Sequence, residues 1–366
     1  MSDCGCNKLS NGAGQFVDIT GLCDLSIIND IEENPYWTQI SIPTVFNIPG
    51  QKPDLGDLHS ENISVEIISQ KVIVTPGGPT PPIPTPVENL EGKILTGRKL
   101  LIEGLLCKAI TYTALSEDQP MHTAHATIPF SAYIVLPLTI DVGTPPVTTD
   151  TLTLNFEIIP CIEDVFIKEI SNRQIFQNIT LFLQAVPTPG TVCNEEGCNS
   201  ADQVDIKGVA TREQLEAIVI GASPDDLWTQ FVVSENLRVP SRKPDIEQIN
   251  SLNSYIEIIS QRVVSTPNSE GADNLEGTAL TGKKLIIEGI LKQKITYTAD
   301  IRSGSQPLHS LHFDVPFSVF IMVPDTVIGS SLFKIEPYIE DIFVCARSSR
   351  EVFKNTTIFI KATQCV

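Results

Sequence analysis

The chain has 366 residues, 42% hydrophobic and 19% charged, and its 25 Lys+Arg against 44 Asp+Glu leave a formal net charge of -19. At about 150 residues per domain, that length predicts two or three domains with real cores and excludes a single disulfide knot. The acidic balance without clustered cations argues against a nucleic-acid or anionic-membrane binder, and low charge density with many β-branched residues argues against disorder.

Met1 to Cys6 has neither the basic start nor the apolar stretch of a secretory signal, so none is expected. The framework that follows reads as β. Segments 62–75, 99–114, 127–136 and 178–186 are rich in Ile, Val, Leu, Thr and Phe and are separated by turn residues. Ile63, Val65 and Ile67 alternate with Ser64 and Glu66 as in a half-buried antiparallel strand, whereas the run Leu100-Leu101-Ile102 predicts a strand covered on both faces. No apolar run reaches the about 18 residues of a spanning helix, and the longest, Ala132 to Ile140, contains a proline. One helix is predicted over 211–218, where Thr211-Arg212-Glu213-Gln214 gives an approximate capping start.

Comparison of the chain with itself reveals a duplication. Trp37-Thr38-Gln39 recurs as Trp228-Thr229-Gln230, Lys52-Pro53-Asp54 as Lys243-Pro244-Asp245, and Glu66 to Gln70 as Glu257 to Gln261. Asn89 to Gly92, Leu95 to Gly97, Ile102-Glu103-Gly104 and Ile110 to Ala114 reappear in order as Asn274 to Gly277, Leu280 to Gly282, Ile287-Glu288-Gly289 and Ile295 to Ala299. Pro129-Phe130-Ser131 matches Pro316-Phe317-Ser318, and Glu163-Asp164 matches Glu340-Asp341. The offset between equivalents changes only across loops. It falls from 191 (Gln70 to Gln261) to 185 (Asn89 to Asn274) over the Pro-rich run 76–84, and from 187 (Pro129 to Pro316) to 177 (Glu163 to Glu340) around Gly143-Thr144-Pro145-Pro146. The expected organisation is all-β: a cysteine-bearing arm 1–14, a β-sandwich-like domain 15–186, a cysteine-bearing linker 187–201, a second such domain 202–364, and a tail 365–366 with Cys365. Trp37, Trp228, Tyr112, Tyr297, Phe130 and Phe317 are expected to anchor the repeated framework.

Five of the nine cysteines, Cys4, Cys6, Cys193, Cys198 and Cys365, lie on the termini and linker. Zinc ligation fits their spacing poorly, which leaves reduced bystanders or cross-links between chains; thiols on exposed arms favour the cross-links. Cys23, Cys107, Cys161 and Cys345 have no cysteine at the equivalent site of the other copy, so the domain is expected not to depend on an internal disulfide. His122, His125, His309 and His312 form two H-x-x-H pairs. Residues three apart on a strand face opposite ways, so these read first as edge-strand side chains and only second as metal or pH-sensing sites. Adjacent Glu163-Asp164 and Glu340-Asp341 cannot form a facing carboxylate pair and predict a solvated edge or a cation contact between subunits. Glu103 and Glu288 are expected to find hydrogen-bonded partners. No nucleophile, base and oxyanion set can be nominated, so no enzyme and no cofactor are expected.

In fixed order, Asn-Leu-Glu-Gly, Leu-Thr-Gly, Ile-Glu-Gly, Ile-Thr-Tyr-Thr-Ala, His-x-x-His, Pro-Phe-Ser and Ile-Glu-Asp resemble the SPOCS domain of spore-coat, exosporium and related sporulation proteins. The resemblance implies synthesis in the mother-cell cytoplasm and deposition on the spore surface. The cysteine-bearing form is similar to self-assembling exosporium proteins with disulfide-linked lattices. A structural protein is therefore expected, with itself as partner in an array or fibre and other coat or exosporium proteins as further partners. The alternative is a non-enzymatic coat adaptor, docking a partner through an exposed edge strand or the Pro-rich loop at 76–86.

Overall fold

The computed structural model describes residues 17–28, 31, 34–78, 86–188, 204–221, 226–272, 274, 278–301 and 306–365. Strand is the dominant regular structure among them, and helix is confined to a few short turns. The first sequence copy supplies β1 (Asp18–Thr20), β2 (Trp37–Asn47), β3 (Leu55–Val74), β4 (Val87–Glu88), β5 (Ile94–Leu95), β6 (Arg98–Ala114), β7 (Met121–Leu136), β8 (Thr139–Val142), β9 (Val147–Asp150), β10 (Asn155–Ser171) and β11 (Gln174–Thr188). The second supplies β12 (Asp205–Lys207), α1 (Arg212–Glu216), β13 (Leu227–Arg238), β14 (Asp245–Asn268), β15 (Thr281–Asp300), β16 (Leu308–Met322), β17 (Phe333–Ser348) and β18 (Glu351–Gln364). All four predicted strand segments are present, extended mostly at their N-terminal ends. The helix is present too: Thr211 caps the Gln214 N–H while the Gln214 side chain accepts from the Thr211 N–H at 2.8 Å, a full capping box.

Both copies follow one plan. A four-stranded sheet β1-β3-β6-β7 and a three-stranded sheet β10-β11-β2 recur as β12-β14-β15-β16 and β13-β18-β17. Even the short parallel pairing is repeated, Asp18 opposite Ser60 and Asp205 opposite Ser251. The extra residues of the first copy around Gly143 fold into the β8-β9 ribbon, with Val142 opposite Val147.

The residues cluster into two compact units: 1–67, 104–130 and 158–186 make the first, and 68–103, 131–157 and 187–366 the second. The second unit thus draws on both sequence copies. In the first, Phe46, Leu58, Ile110 and Ile175 form the core between sheets, and the buried Tyr112 donates its hydroxyl to the Pro53 carbonyl at 3.0 Å. In the second, Leu252, Ile295, Ile342 and Val344 do the same, and Tyr297 donates to Pro244 at 3.0 Å. That bond explains why Ile-Thr-Tyr-Thr-Ala and Lys-Pro-Asp recur together. Gly104 and Gly289 recur because the Phe130 and Phe317 rings lie on them: an added Cβ would stand 2.3 and 2.4 Å from the ring carbons. Gly21 and Gly208 sit at φ +105° and +98°, where a Cβ would fall 1.8 Å from the carbonyl oxygens of Ile63 and Ser254.

The cysteines add a bond within one copy that the comparison of copies does not predict, although the domain does not depend on it. Cys23 and Cys161 of the first unit are bonded to each other, and the buried Cys345 of the second is also disulfide-bonded. A bridge between two residues of one copy needs no counterpart in the other. Ala210 and Tyr338 stand at the equivalent positions, and the backbone closure there survives without sulfur: Cys23 N–H donates to Ile162 O at 3.1 Å, and Ala210 N–H to Ile339 O at 2.8 Å.

Candidate functional site

The two copies differ most in what covers the outer face of the three-stranded sheet. In the second unit, a strip from the first copy, the end of β3 and the start of β6, lies on the outer face of β13-β18-β17. Arg98 to Gly104 are accordingly buried on both strand faces, as the Leu100-Leu101-Ile102 run predicts, whereas the rest of β6 alternates. β18 is buried on both faces from Val352 to Ile360. Leu95 packs with Ile220, Trp228 and Phe359 in an apolar cluster. Ile220 N–H donates to the Gly77 carbonyl at 3.0 Å.

A polar layer runs through this junction. Lys99 Nζ donates to Gln230 Oε1 at 2.6 Å, Gln230 Nε2 donates to Glu340 Oε1 at 2.6 Å, and the ammonium stands 4.0 Å from Glu340 Oε2 and over the Tyr133 ring. Lys71 pairs with Asp341 at 2.6 Å, Asn355 Nδ2 donates to Glu103 Oε1 at 3.1 Å, and Asn89 Nδ2 donates to the Trp228 carbonyl at 3.2 Å. Burial opposes charge here: it pushes the Lys99 ammonium down and the Glu340 carboxyl up, each offset by the other. Buried pairs of this kind contribute little net stability but penalise any arrangement that leaves one partner alone, so they fix register.

Glu103 is pushed up to about 8 by burial, against the opposing hydrogen bond from Asn355. It is therefore protonated in the folded protein at pH 7 and ionises on unfolding. Unfolding releases its proton between the ordinary glutamate value of 4.5 and about 8, so its contribution to stability is full below 4.5 and is lost as pH rises through about 8, at up to roughly 1.4 kcal/mol per pH unit. Glu103→Gln keeps the hydrogen bond without the titration, and urea unfolding from pH 5 to 8 should show a flatter dependence than wild type. An unchanged slope would mean that Glu103 ionises in the folded state.

Each charged or amide residue of this layer has a like counterpart, and Phe320 takes the place of Tyr133 beneath Lys284. Lys99, Glu103 and Asn89 correspond to Lys284, Glu288 and Asn274, and Lys71 to Arg262; Gln230, Glu340, Asp341 and Asn355 correspond to Gln39, Glu163, Asp164 and Asn178. The counterparts are uncovered. Ile68 is 5% exposed and its equivalent Ile259 55%; Trp228 is 1% exposed and Trp37 41%; Phe343 is 7% exposed and Phe166 50%. Gln39 Nε2 still donates to Glu163 Oε1, at 2.8 Å on an exposed surface. On the uncovered strip, Arg262 turns back to Glu288 at 2.7 Å and Ser260 donates to the same carboxylate at 2.6 Å.

The predicted site residues fall as follows. Cys365 carries an exposed thiol, while Cys4, Cys6, Cys193 and Cys198 lie outside the described residues, as do 79–85 of the Pro-rich loop. His122 and His309, half-buried, lie against Tyr112 and Tyr297 at 6.0 and 5.8 Å between ring centroids, while His125 and His312 are exposed. Among the described residues no three His, Cys, Asp or Glu side chains group as a metal would require. Trp37 and Trp228 stack on Phe182 and Phe359 at 5.7 and 6.2 Å. The acid pairs split: Glu163-Asp164 is solvated, and Glu340-Asp341 meets Lys99 and Lys71 of the same chain.

Sequence reasoning missed Lys99, Lys71, Gln230 and Asn355 as a set. It also missed Arg173 and Arg350, whose guanidiniums each bind three turn carbonyls and one carboxylate: Arg173 takes Ile48, Pro49 and Lys52 with Asp54, and Arg350 takes Val239, Pro240 and Lys243 with Asp245. Their recurrence at the same offset as Glu163 and Glu340 was the available signal.

No curated protein and no solved structure matches the chain. The family model described as SipL, SPOCS domain matches residues 83–158 and 245–346, one region in each sequence copy and each including strands of the sheets above. The repeated motifs, the repeated topology and this double match together make the chain a SPOCS-domain protein with two such domains in tandem.

Proposed function

We propose that this protein is a non-enzymatic structural component of the outer spore layers, coat or exosporium, that assembles with copies of itself into a disulfide-cross-linked lattice or fibre. The SPOCS domain points to a spore-related function. The observation that carries the assembly reading is the buried junction of the second unit, which joins two copies of one domain through residues that both copies possess. A chain that carries such halves twice is suited to repetition. The exposed thiol of Cys365 supports the covalent step, and Cys4, Cys6, Cys193 and Cys198 are its further candidates. The partner is another copy of this chain, with other spore-surface proteins secondary; nucleic acid and membrane are not part of the reading.

Electrophoresis of the purified full chain with and without reductant tests this. A ladder of multimers that collapses on reduction is expected. Replacing Cys4, Cys6, Cys193, Cys198 and Cys365 by serine should abolish it. A monomer under oxidising conditions would remove the cross-linking and leave a coat adaptor as the better description.

A further inference from the structure

Each sequence copy possesses both halves of the junction, the strip and the sheet face, and among the described residues one of the two pairings is made. The strip of the first copy covers the face of the second. The strip of the second copy and the face of the first remain uncovered, with their apolar members Ile259, Trp37 and Phe166 in solvent. Removing such apolar surface from water is favourable, and the same side chain types are already buried where the intrachain pairing is made.

We propose that the strip of the second copy docks on the uncovered sheet face of the first copy in another chain, repeating the intrachain junction between molecules. This rests on the self-assembly reading and names its contact. The pairing is specified residue by residue: Lys284 meets Gln39 and Glu163 as Lys99 meets Gln230 and Glu340, Arg262 meets Asp164 as Lys71 meets Asp341, and Glu288 meets Asn178 as Glu103 meets Asn355. Charge complementarity supports the match: Lys284 and Arg262 of the strip face Glu163 and Asp164, and the one carboxylate of the strip, Glu288, faces the neutral amide of Asn178. Arg262, now on Glu288, must swing to Asp164, leaving Glu288 to accept from Asn178. Because strip and face are different surfaces, the contact is heterologous; each added chain presents a new strip and a new face, and growth continues until a ring closes or a filament runs on.

Charge reversal in the full chain, studied in reductant so that only non-covalent contacts count, tests this. In E163K two ammonium groups oppose each other across the contact, and in K284E two carboxylates do. Each variant alone should need at least about thirtyfold more protein for half-assembly, measured by light scattering, because like charges oppose each other in a desolvated contact. A one-to-one mixture should recover assembly. In it the unaltered Lys284 of an E163K chain meets the unaltered Glu163 of a K284E chain, and at the next contact the two introduced charges pair with each other, reversed in sense. Circular dichroism matching wild type separates lost docking from lost folding. If wild type assembles and both variants assemble equally well, or the mixture fails to recover, the inference is overturned while self-assembly by another contact stands. If wild type stays monomeric both with and without reductant, the self-assembly reading falls and this contact with it.

Discussion

Lys108→Gln should cost the first unit about 3–5 kcal/mol, because it leaves the Glu61 carboxylate buried without its cation. Lys108 and Glu61 are fully buried side chains, 3.9 Å apart, between the two sheets of the first unit. Gln177 bridges them, accepting from Lys108 and donating Nε2 to Glu61 Oε2 at 2.7 Å. Burial lowers the lysine to about 8, opposed by Glu61, and raises the glutamate. The second copy holds a lysine, a glutamine and a glutamate in the same layer with the first two exchanged: Gln293 replaces Lys108, Lys354 replaces Gln177, and the carboxylate comes from Glu235, 3.2 Å from Lys354. The exchange in one copy of the other's arrangement provides the control. K108Q/Q177K puts the cation back within reach of Glu61 and should recover most of the loss, to within about 1.5 kcal/mol of wild type. Denaturant unfolding of the two variants decides it; a double variant no more stable than K108Q would mean that the lysine's position, rather than its charge, is what the layer requires.

The Cys23–Cys161 bond should contribute comparably. It joins residues 138 apart in sequence, so in the chain-entropy description its removal by C23A/C161A releases a long loop in the unfolded chain. The expected cost is about 2–5 kcal/mol, seen as a lower denaturation midpoint of the oxidised protein. The second copy locates the limit of the effect: with Ala210 and Tyr338 in these places it still forms the Ala210 to Ile339 hydrogen bond. The double variant should therefore fold and keep its far-ultraviolet spectrum while losing resistance to denaturant. Equal midpoints for variant and wild type under oxidising conditions would show that the bond is structurally idle.

Local and repeated features were legible in the sequence. Alternation at Ile63, Val65 and Ile67, the unbroken run at Leu100 to Ile102, and the Thr211 capping start each report on a strand or helix end within a few residues. The duplication reports on topology, because loops absorb its offsets. The junction was not legible, because it depends on which copy's strip meets which copy's face, and the two copies carry the same side chains: Lys99 and Lys284 read alike, and only the fold decides that one is buried beneath a sheet. Glu340-Asp341 and Glu163-Asp164 likewise read alike, although one pair holds two lysines and the other faces solvent. The Cys23–Cys161 bond was hidden by its sequence separation, and comparison between copies pointed away from it.

The central claim, that this chain joins copies of itself, is tested most directly by electron microscopy of the full-length protein expressed and purified alone. Ordered multi-copy particles, lattices or fibres are expected, resistant to denaturant when oxidised and loosened by reductant. A field of single monomers in both redox states would contradict it.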